Sequence, residues 1–189
     1  MIPKPRLLLH TCCAPCSTHV IETLKDEYDI TCFYYNPNIH PKEEYLLRSR
    51  EAEGFAQSMG VPVVEGDYDV REWFKAVEGL EDEHEGGKRC EVCFRIRLEK
   101  TAESAVDDDF QCFTTTLTIG PQKNSVLINA IGDELSRRYN IGFLQADFKK
   151  KDGFKKSVEL SEKHGLLRQD YCGCIYSKRE REARKSVSK

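Results

Sequence analysis

Short apolar segments alternate with longer amphipathic segments along almost the whole chain. The apolar segments predict five strands, which are Arg6–His10, Ile30–Tyr35, Val61–Val64, Phe110–Thr116 and Ile141–Leu144. The remaining segments predict helices, one from about Pro15 and the others over Glu43–Met59, Asp69–Glu78, Glu91–Val106, Ser125–Arg138, Gly153–His164 and Lys178–Lys185. Strands separated by helices form βαβ units with right-handed crossovers, so the sequence predicts a mostly parallel sheet.

The expected fold is therefore a Rossmann-like, three-layer α/β/α domain with a sheet of about five strands. A chain of 189 residues fits one domain over 1–189, with a basic helical segment at about 165–189. The longest apolar run near the start, Leu7–Leu9, is too short for the core of a signal peptide or for a membrane span. We expect a cytoplasmic protein that does not enter a membrane.

Nine cysteines are the residues that say most about function. Because the number is odd and no export signal is evident, we expect reduced thiols rather than a disulfide framework. Under reducing conditions, clustered thiols indicate metal or redox chemistry. Three clusters lie at 12–16, 90–93 and 172–174, whereas Cys32 and Cys112 lie inside predicted strands and are expected to be small buried hydrophobic residues.

The first thiol cluster lies in the turn after the first predicted strand. In parallel sheets, ligands bind beyond the carboxyl ends of the strands at the topological switch point, and this turn is usually found there. It contains Cys12, Cys13 and Cys16 but no glycine, so binding of a phosphate by its backbone amides is weakly supported. Cys16 follows Cys13 by one helical turn, so it could replace one of the tandem cysteines as a ligand or bind a further metal ion.

The second cluster, Cys90 and Cys93, is expected at a loop-to-helix junction, where the helix N-terminus favours thiolate. Together with Cys12 and Cys13 it could bind zinc or an iron–sulfur cluster. Structural zinc sites commonly use two Cys-x₂₋₄-Cys turns, whereas adjacent cysteines are expected to point apart and to suit a larger, multi-metal group. The arrangement is similar to the cluster site of assimilatory adenylyl-sulfate reductases. This similarity favours [4Fe–4S], with zinc as the alternative.

The third cluster, Cys172-Gly173-Cys174, has the spacing of a redox pair. Glycine between two cysteines permits a small, strained disulfide ring, and strain makes such a bond easy to reduce. The alternative is that both cysteines are cluster ligands. We favour the redox pair because the other two clusters already supply four sulfur ligands.

Four motifs together resemble one known family. They are Cys12-Cys13-Ala14-Pro15-Cys16-Ser17, Tyr35-Asn36-Pro37-Asn38-Ile39-His40-Pro41, Arg89-Cys90-Glu91-Val92-Cys93-Phe94-Arg95 and Tyr171-Cys172-Gly173-Cys174. In this order they resemble the cobalamin-independent epoxyqueuosine reductase family, and the resemblance covers essentially the whole chain. It implies a fold related to the PP-loop and adenine nucleotide alpha hydrolase-like folds.

The resemblance also implies an activity and a cofactor. Epoxyqueuosine at the wobble position of tRNA would be reduced to queuosine, the epoxide becoming an alkene and its oxygen leaving as water. By motif, Cys12, Cys13, Cys90 and Cys93 would hold a [4Fe–4S] cluster, and Cys172 with Cys174 would be the redox pair. An additional iron ion, if bound, would act as a Lewis acid on the epoxide oxygen. The sequence does not identify the electron donor.

The charge distribution is consistent with a tRNA partner. Residues 1–110 contain 13 Lys and Arg against 23 Asp and Glu, whereas residues 111–189 contain 16 against 9. The basic residues expected at phosphates are Lys149, Lys150, Lys151, Lys155, Lys156, Lys178, Arg179, Arg181, Arg184 and Lys185. Tyr34, Tyr35 or Phe148 could stack on the displaced base. His10 and His40 are candidate proton donors, with a structural role at least as well supported.

Two other classes of function fit parts of the sequence. A zinc-stabilised tRNA-binding module would need no redox chemistry. A sulfonucleotide reductase or sulfur-transfer enzyme would use the same sheet with a thiol or persulfide nucleophile, but the missing glycine-rich turn disfavours it. The epoxyqueuosine reductase is preferred because it uses all three thiol clusters.

Overall fold

Five parallel strands form one sheet in the computed structural model, which describes residues 3–187. The strands are β1 (Arg6–His10), β2 (Asp29–Tyr34), β3 (Val63–Glu65), β4 (Cys112–Thr115) and β5 (Gly142–Phe143). Their order across the sheet is β3-β2-β1-β4-β5, and Leu8 of β1 aligns with Thr31 of β2 and Phe113 of β4. The predicted parallel sheet of about five strands is confirmed.

Seven α-helices accompany the strands in the described part of the chain. They are α1 (Ala14–Leu24), α2 (Lys42–Ser58), α3 (Val70–Ala76), α4 (Lys88–Asp107), α5 (Ser125–Tyr139), α6 (Gly153–Lys163) and α7 (Ile175–Val187). Both α4 and α7 begin three residues earlier than predicted. Gly87 is the N-cap of α4, and the cap of α5 is Asn124 rather than Ser125, because the Asn124 side chain accepts hydrogen bonds from the amides of Val126 and Leu127.

The sheet is covered on both faces. Leu7 and Leu9 pack with α1 and α2 on one face, whereas Leu8 packs with α4 and α5 on the other. Successive side chains of a strand point to opposite faces, so the run Leu7–Leu9 is buried throughout. This arrangement confirms the predicted three-layer α/β/α architecture.

The position of β1 determines where a ligand can bind. β1 lies between β2 and β4 in the sheet. After β1 the chain forms β2 and β3 on one side of it, and then crosses to form β4 and β5 on the other side. The turns after β1 and β4 therefore flank the topological switch point at the carboxyl edge of the sheet. Cys12 and Cys13 follow β1 at this point, and a 3-10 helix, Thr116–Ile119, follows β4.

Membrane insertion through a helix has no support in the described residues. None of the helices between residues 3 and 187 combines the length and apolar content needed to cross a bilayer.

A candidate active site lined by cysteines

A cavity of about 120 Å³ lies at the carboxyl edge of the sheet, and seven of the nine cysteines line it. These are Cys12, Cys13, Cys16, Cys90, Cys93, Cys172 and Cys174. Folding therefore gathers the three thiol clusters, which are distant in the sequence, at one edge of the sheet. Cys32 and Cys112 lie outside the cavity lining. Cys32 is buried as expected, but Cys112 opens β4 and is only half-buried.

The amino-terminal sulfur group consists of Cys12, Cys13 and Cys16. Their sulfur atoms all lie within 4.8 Å of one another, and the Sγ atoms of Cys12 and Cys13 are 3.9 Å apart. The expectation that the tandem side chains point apart is wrong. The chain turns into α1 immediately after Cys13, which brings the Cys16 side chain to the same place. This is the one group of three or more metal-ligating side chains at such distances within residues 3–187.

One thiol of this group is favoured as a thiolate. Hydrogen bonds from Cys13 and Cys16 hold the pKa of Cys12 well below its usual range, and the positive charge of Arg97 contributes. The Thr116 hydroxyl also lies 3.4 Å from the Cys12 sulfur. The shared proton raises the pKa of Cys13 to about 12. The lowered pKa of Cys12 favours the thiolate form that a metal ligand requires.

Cys90 and Cys93 lie in the first two turns of α4 and face the same cavity. The Gly86 amide donates a hydrogen bond to the Cys90 sulfur at 3.2 Å. Burial nevertheless raises the pKa of Cys90, so the expected stabilisation of thiolate by the helix N-terminus is outweighed by desolvation. A positive group or metal would be needed to hold this thiolate.

The carboxy-terminal dithiol consists of Cys172 and Cys174, whose sulfur atoms are 3.6 Å apart. Gly173 between them has φ +109°, and a Cβ at this position would lie 2.8 Å from a side-chain carbon of Ile39. Only glycine fits this turn without strain. A hydrogen bond from Cys174 lowers the pKa of Cys172 to about 5, whereas the same contact raises the pKa of Cys174. Cys172 is therefore the thiolate of the pair.

Lys123 is a functional candidate that the sequence analysis missed. Its Nζ donates to Glu85 at 3.0 Å, and the other carboxylate oxygen of Glu85 accepts from the Ser177 hydroxyl at 2.9 Å. The Ser177 amide in turn donates to the Cys174 sulfur at 3.3 Å. Burial would lower the pKa of Lys123, but the Cys172 thiolate and Glu85 outweigh it and raise the pKa. Lys123 lies in a polar loop segment, and nothing in the sequence there indicates that its side chain is buried beside the Cys172 thiolate.

Three arginines that line the cavity are almost completely buried, namely Arg48, Arg89 and Arg97. Arg48 pairs with Glu44 at 2.7 Å, and Arg89 pairs with Glu180 at 3.1 Å. Sequence reasoning missed all three because arginines on helices are usually solvated. Arg89 and Arg97 lie on either side of the Cys90–Cys93 motif in the sequence, and this proximity could have indicated that they face the cavity.

The aromatic residues expected to stack on a base are buried. Tyr34, Tyr35 and Phe148 are each less than a tenth exposed, and none lines the cavity. Tyr35 instead packs against Phe33, with ring centroids 6.0 Å apart. The structure does not favour base stacking by these three rings. Two other buried aromatic residues, Trp73 and Phe94, do line the cavity, and neither was expected from the sequence to stack on a base.

The two candidate histidines are also buried outside the cavity lining. The ring nitrogens of His10 contact the Thr115 hydroxyl at 2.9 Å and the Tyr35 carbonyl at 3.2 Å. Burial lowers the pKa of His10 to about 3 and that of His40 to about 4, so both are neutral near pH 7. The structure therefore favours the structural role of both histidines over proton donation.

The basic residues expected at phosphates differ in availability. Lys150, Lys151 and Arg179 are exposed. Lys149 is half-buried and donates to the backbone carbonyl of Lys123 at 2.7 Å, so it supports the cavity wall. The remaining basic side chains divide into exposed ones, Lys155, Lys156, Arg184 and Lys185, and half-buried ones, Lys178 and Arg181. Arg181 and Lys185 both form ion pairs with Asp170.

Solved structures with the same fold come from tRNA-modifying systems. A predicted subunit of a tRNA methyltransferase from Methanocaldococcus jannaschii is 19% identical, with a TM-score of 0.56 over 81% of this chain and 75% of that one. The U34-tRNA thiolase NcsA from Methanococcus maripaludis, solved with its [4Fe–4S] cluster, is 12% identical, with a TM-score of 0.59 over 92% of this chain and 61% of that one. These similarities show that the chain shares its α/β fold with both proteins.

Curated relatives are closer in sequence. Proteins named epoxyqueuosine reductase QueH are 44% identical in Streptococcus pyogenes and 37% identical in Thermotoga maritima. The alignments cover 92% of this chain and 71% of the streptococcal protein, and 93% of this chain and 91% of the Thermotoga protein. The family described as epoxyqueuosine reductase QueH matches residues 7–180. The chain belongs to the epoxyqueuosine reductase QueH family.

Proposed function

We propose that the protein reduces epoxyqueuosine to queuosine in tRNA at the cysteine-lined cavity, with an iron–sulfur cluster and a redox dithiol. Family membership supports the reaction: the protein is an oxidoreductase of tRNA queuosine biosynthesis. The observation that carries the site assignment is the convergence of seven cysteines from three distant parts of the chain on one cavity.

The donor set fits a [4Fe–4S] cluster. Such clusters are held by four cysteine thiolates, and we propose Cys12, Cys13, Cys90 and Cys93 as these ligands. Buried arginines around the cavity can balance the negative charge of the bound cluster. When bound, the cluster supplies single electrons at a potential set by its surroundings.

Cys16 is left over by this assignment, although its sulfur belongs to the amino-terminal sulfur group. We propose it as a ligand for the additional iron that the family resemblance implies. Replacement of a tandem cysteine by Cys16 in the cluster is the competing assignment, and spectra of single cysteine variants would distinguish the two.

The carboxy-terminal dithiol can supply the two electrons and two protons that the reaction consumes. Conversion of the epoxide to an alkene and water consumes two electrons and two protons. Oxidation of two thiols to one disulfide releases two electrons and two protons, so one dithiol matches one turnover. We propose that Cys172 and Cys174 perform this exchange, which their 3.6 Å separation permits without a large movement.

Unpartnered polar atoms support a polar organic ligand in the cavity. Asn38 and Trp73 line it, and the Oδ1 atom of Asn38 and the Nε1 atom of Trp73 are buried without a hydrogen-bond partner. Buried polar groups are usually satisfied, so these two atoms mark positions for substrate groups. An acceptor and a donor in the same cavity suit a nucleobase or a hydroxylated ring.

A tRNA substrate implies binding partners and a cellular location for the protein. We propose that tRNA contacts the exposed basic residues Lys150, Lys151 and Arg179 by its phosphates. A separate electron donor is needed to restore the dithiol. Nine free cysteines and a tRNA substrate are consistent with a cytoplasmic protein.

The test is anaerobic reconstitution followed by turnover. We expect about four irons and four sulfides per chain for the cluster, with more iron if Cys16 holds an additional ion, and conversion of epoxyqueuosine-containing tRNA by mass spectrometry. Protein without iron that still binds tRNA would contradict the proposal and would indicate the zinc-stabilised module instead.

A further inference from the structure

Arg97 is a buried cation without an acidic partner among residues 3–187. Its side chain is 4% exposed and lines the cavity. One guanidinium nitrogen, Nη2, donates to the Asn36 carboxamide oxygen at 2.6 Å, and Nε has no partner. Since burial of an uncompensated charge is costly, this position requires a negative group nearby.

The other two buried arginines of the cavity do not have this requirement. Arg48 has the Glu44 carboxylate, and Arg89 has the Glu180 carboxylate. Arg97 has a neutral amide instead. Arg97 lines the same cavity as the sulfurs of Cys12 and Cys13, which follow β1.

Asn36 holds Arg97 in this position. The Asn36 side chain is fully buried, and its Nδ2 donates to the Thr11 carbonyl at 3.0 Å. Thr11 immediately precedes the tandem cysteines, so one asparagine links the guanidinium to the backbone that carries these sulfurs. The sequence indicates a turn residue at Asn36, whereas these two hydrogen bonds show a link between Arg97 and the backbone before the tandem cysteines.

We propose that Arg97, positioned by Asn36, is the counter-charge of the metal-bound thiolates of Cys12 and Cys13 and raises the reduction potential of the cluster. The proposal rests on the proposed function, because it requires a cluster at these cysteines. A nearby positive charge stabilises the more negative, reduced state, so its removal lowers the potential. Arg97 and Asn36 are positioning residues, because neither has to touch the substrate.

The test is a redox titration of the reconstituted cluster, followed by electron paramagnetic resonance, in wild-type protein and four variants. Arg97→Met removes the charge at similar side-chain length, and Arg97→Lys keeps it. Asn36→Asp gives Arg97 a carboxylate partner and removes the amide donor to the Thr11 carbonyl. Arg95→Met is the matched control, because Arg95 lies on the same helix and pairs with Glu134 at the surface.

We expect Arg97→Met and Asn36→Asp to shift the potential to more negative values at unchanged iron content. Arg97→Lys should stay near the wild-type value, and Arg95→Met should equal it. If Arg97→Met does not fold, Asn36→Asp and Arg97→Lys decide the question by the same criteria.

Equal potentials in wild type, Arg97→Met and Asn36→Asp would overturn the inference and leave the proposed function intact. A potential as low in Arg97→Lys as in Arg97→Met would overturn the role of charge, since shape alone would then explain the shift. A wild-type protein that binds no cluster would overturn both proposals, and iron analysis identifies that case.

Discussion

The amino-terminal sulfur group and the carboxy-terminal dithiol face the same cavity but are built differently. Cys12, Cys13 and Cys16 lie between a buried strand and the first turn of α1, so the sheet itself determines their positions. Cys172 and Cys174 lie in the segment before α7, outside the sheet. That segment is held by its hydrogen bonds to His40 and Ser177, and α7 behind it is held by contacts such as Arg89–Glu180 and Ser177–Glu85.

This difference separates two chemical tasks. A metal cluster needs ligands that keep their positions in both oxidation states, and the end of a central strand provides this. A dithiol must change its sulfur–sulfur distance when it is oxidised, from 3.6 Å here to the length of a covalent bond. A peripheral segment with a glycine between the cysteines allows that change without deforming the sheet.

The largest expected effect comes from the amino-terminal sulfur group. Cys13→Ser should remove essentially all cluster iron and all turnover, because one of four thiolate ligands is lost. Iron and sulfide analysis after anaerobic reconstitution measures it. Cys112→Ser is the control, since that cysteine lies outside the cavity lining and should keep full iron content. Normal iron in the Cys13 variant would contradict the assignment of Cys13 as a cluster ligand.

The second largest effect is expected at the dithiol, and it distinguishes the role of the dithiol from that of the cluster. Cys172→Ser should keep wild-type iron content but lose essentially all turnover, because a single thiol cannot release two electrons by forming a disulfide. The measurement is single-turnover conversion of epoxyqueuosine-containing tRNA with a pre-reduced cluster. Full activity in this assay would eliminate the dithiol from the mechanism.

The thiolate character of Cys172 gives a third prediction, in metal-free reduced protein. At pH 7 its pKa of about 5 makes it almost fully ionised, whereas burial raises the pKa of Cys112 to about 11. Iodoacetamide should therefore modify Cys172 about tenfold faster or more, after allowance for the weaker nucleophilicity of low-pKa thiolates. Mass spectrometry of tryptic peptides gives both rates, and between pH 6 and 8 only the Cys112 rate should rise with pH.

A fourth prediction concerns the turn between the two redox cysteines. Gly173→Ala should lower the free energy of unfolding by about 1–3 kcal/mol, because alanine is strained at φ +109° and its Cβ meets Ile39. Denaturant titration measures this change. Gly54→Ala is the matched control, because Gly54 lies within α2 with open space around it. That variant should gain about 0.5–1 kcal/mol, and an equal loss in both variants would contradict the special role of Gly173.

The smallest effect is expected at the exposed basic residues. Lys151→Gln and Arg179→Gln should each weaken tRNA binding modestly and reduce the salt slope of the affinity by about one per lost phosphate contact. Lys25→Gln is the control, because Lys25 follows α1 at the opposite edge of the sheet. Titrations at several salt concentrations measure the slopes, and an unchanged slope in both test variants would remove these residues from the tRNA interface.

The fold was largely predictable because its signals are local. The run Leu7–Leu9 identified β1 to the residue, since a strand buried on both faces needs continuous apolar side chains. The topology then placed the turn after β1 at the switch point, and with it the tandem cysteines. Helix ends were less predictable: α4 begins at Lys88 because Gly87 caps it, and glycine caps give a weak signal.

The charges around the sulfurs were not predictable because they arise from tertiary packing. Arg97 and Arg48 belong to helices with many charged residues, and sequence alone does not show which ones face the cavity. Tyr35 was expected to be accessible at a strand end, but α4 and α5 cover that end of the sheet. The approach of Cys16 to the tandem pair, in contrast, agrees with the predicted helix from about Pro15, which places Cys16 one turn after Cys13.

The cavity also constrains when the protein can mature. Its sulfurs are encoded at opposite ends of the chain, at Cys12 and at Cys174, with almost the whole fold between them. A ribosome therefore releases the first three thiols long before the helix that bears Arg89 and Arg97, and before the final dithiol. By the proposed assignment, the last cluster ligand, Cys93, is synthesised well after the amino-terminal thiols, so these thiols lack a complete ligand set during that interval, and the dithiol joins the cavity later still.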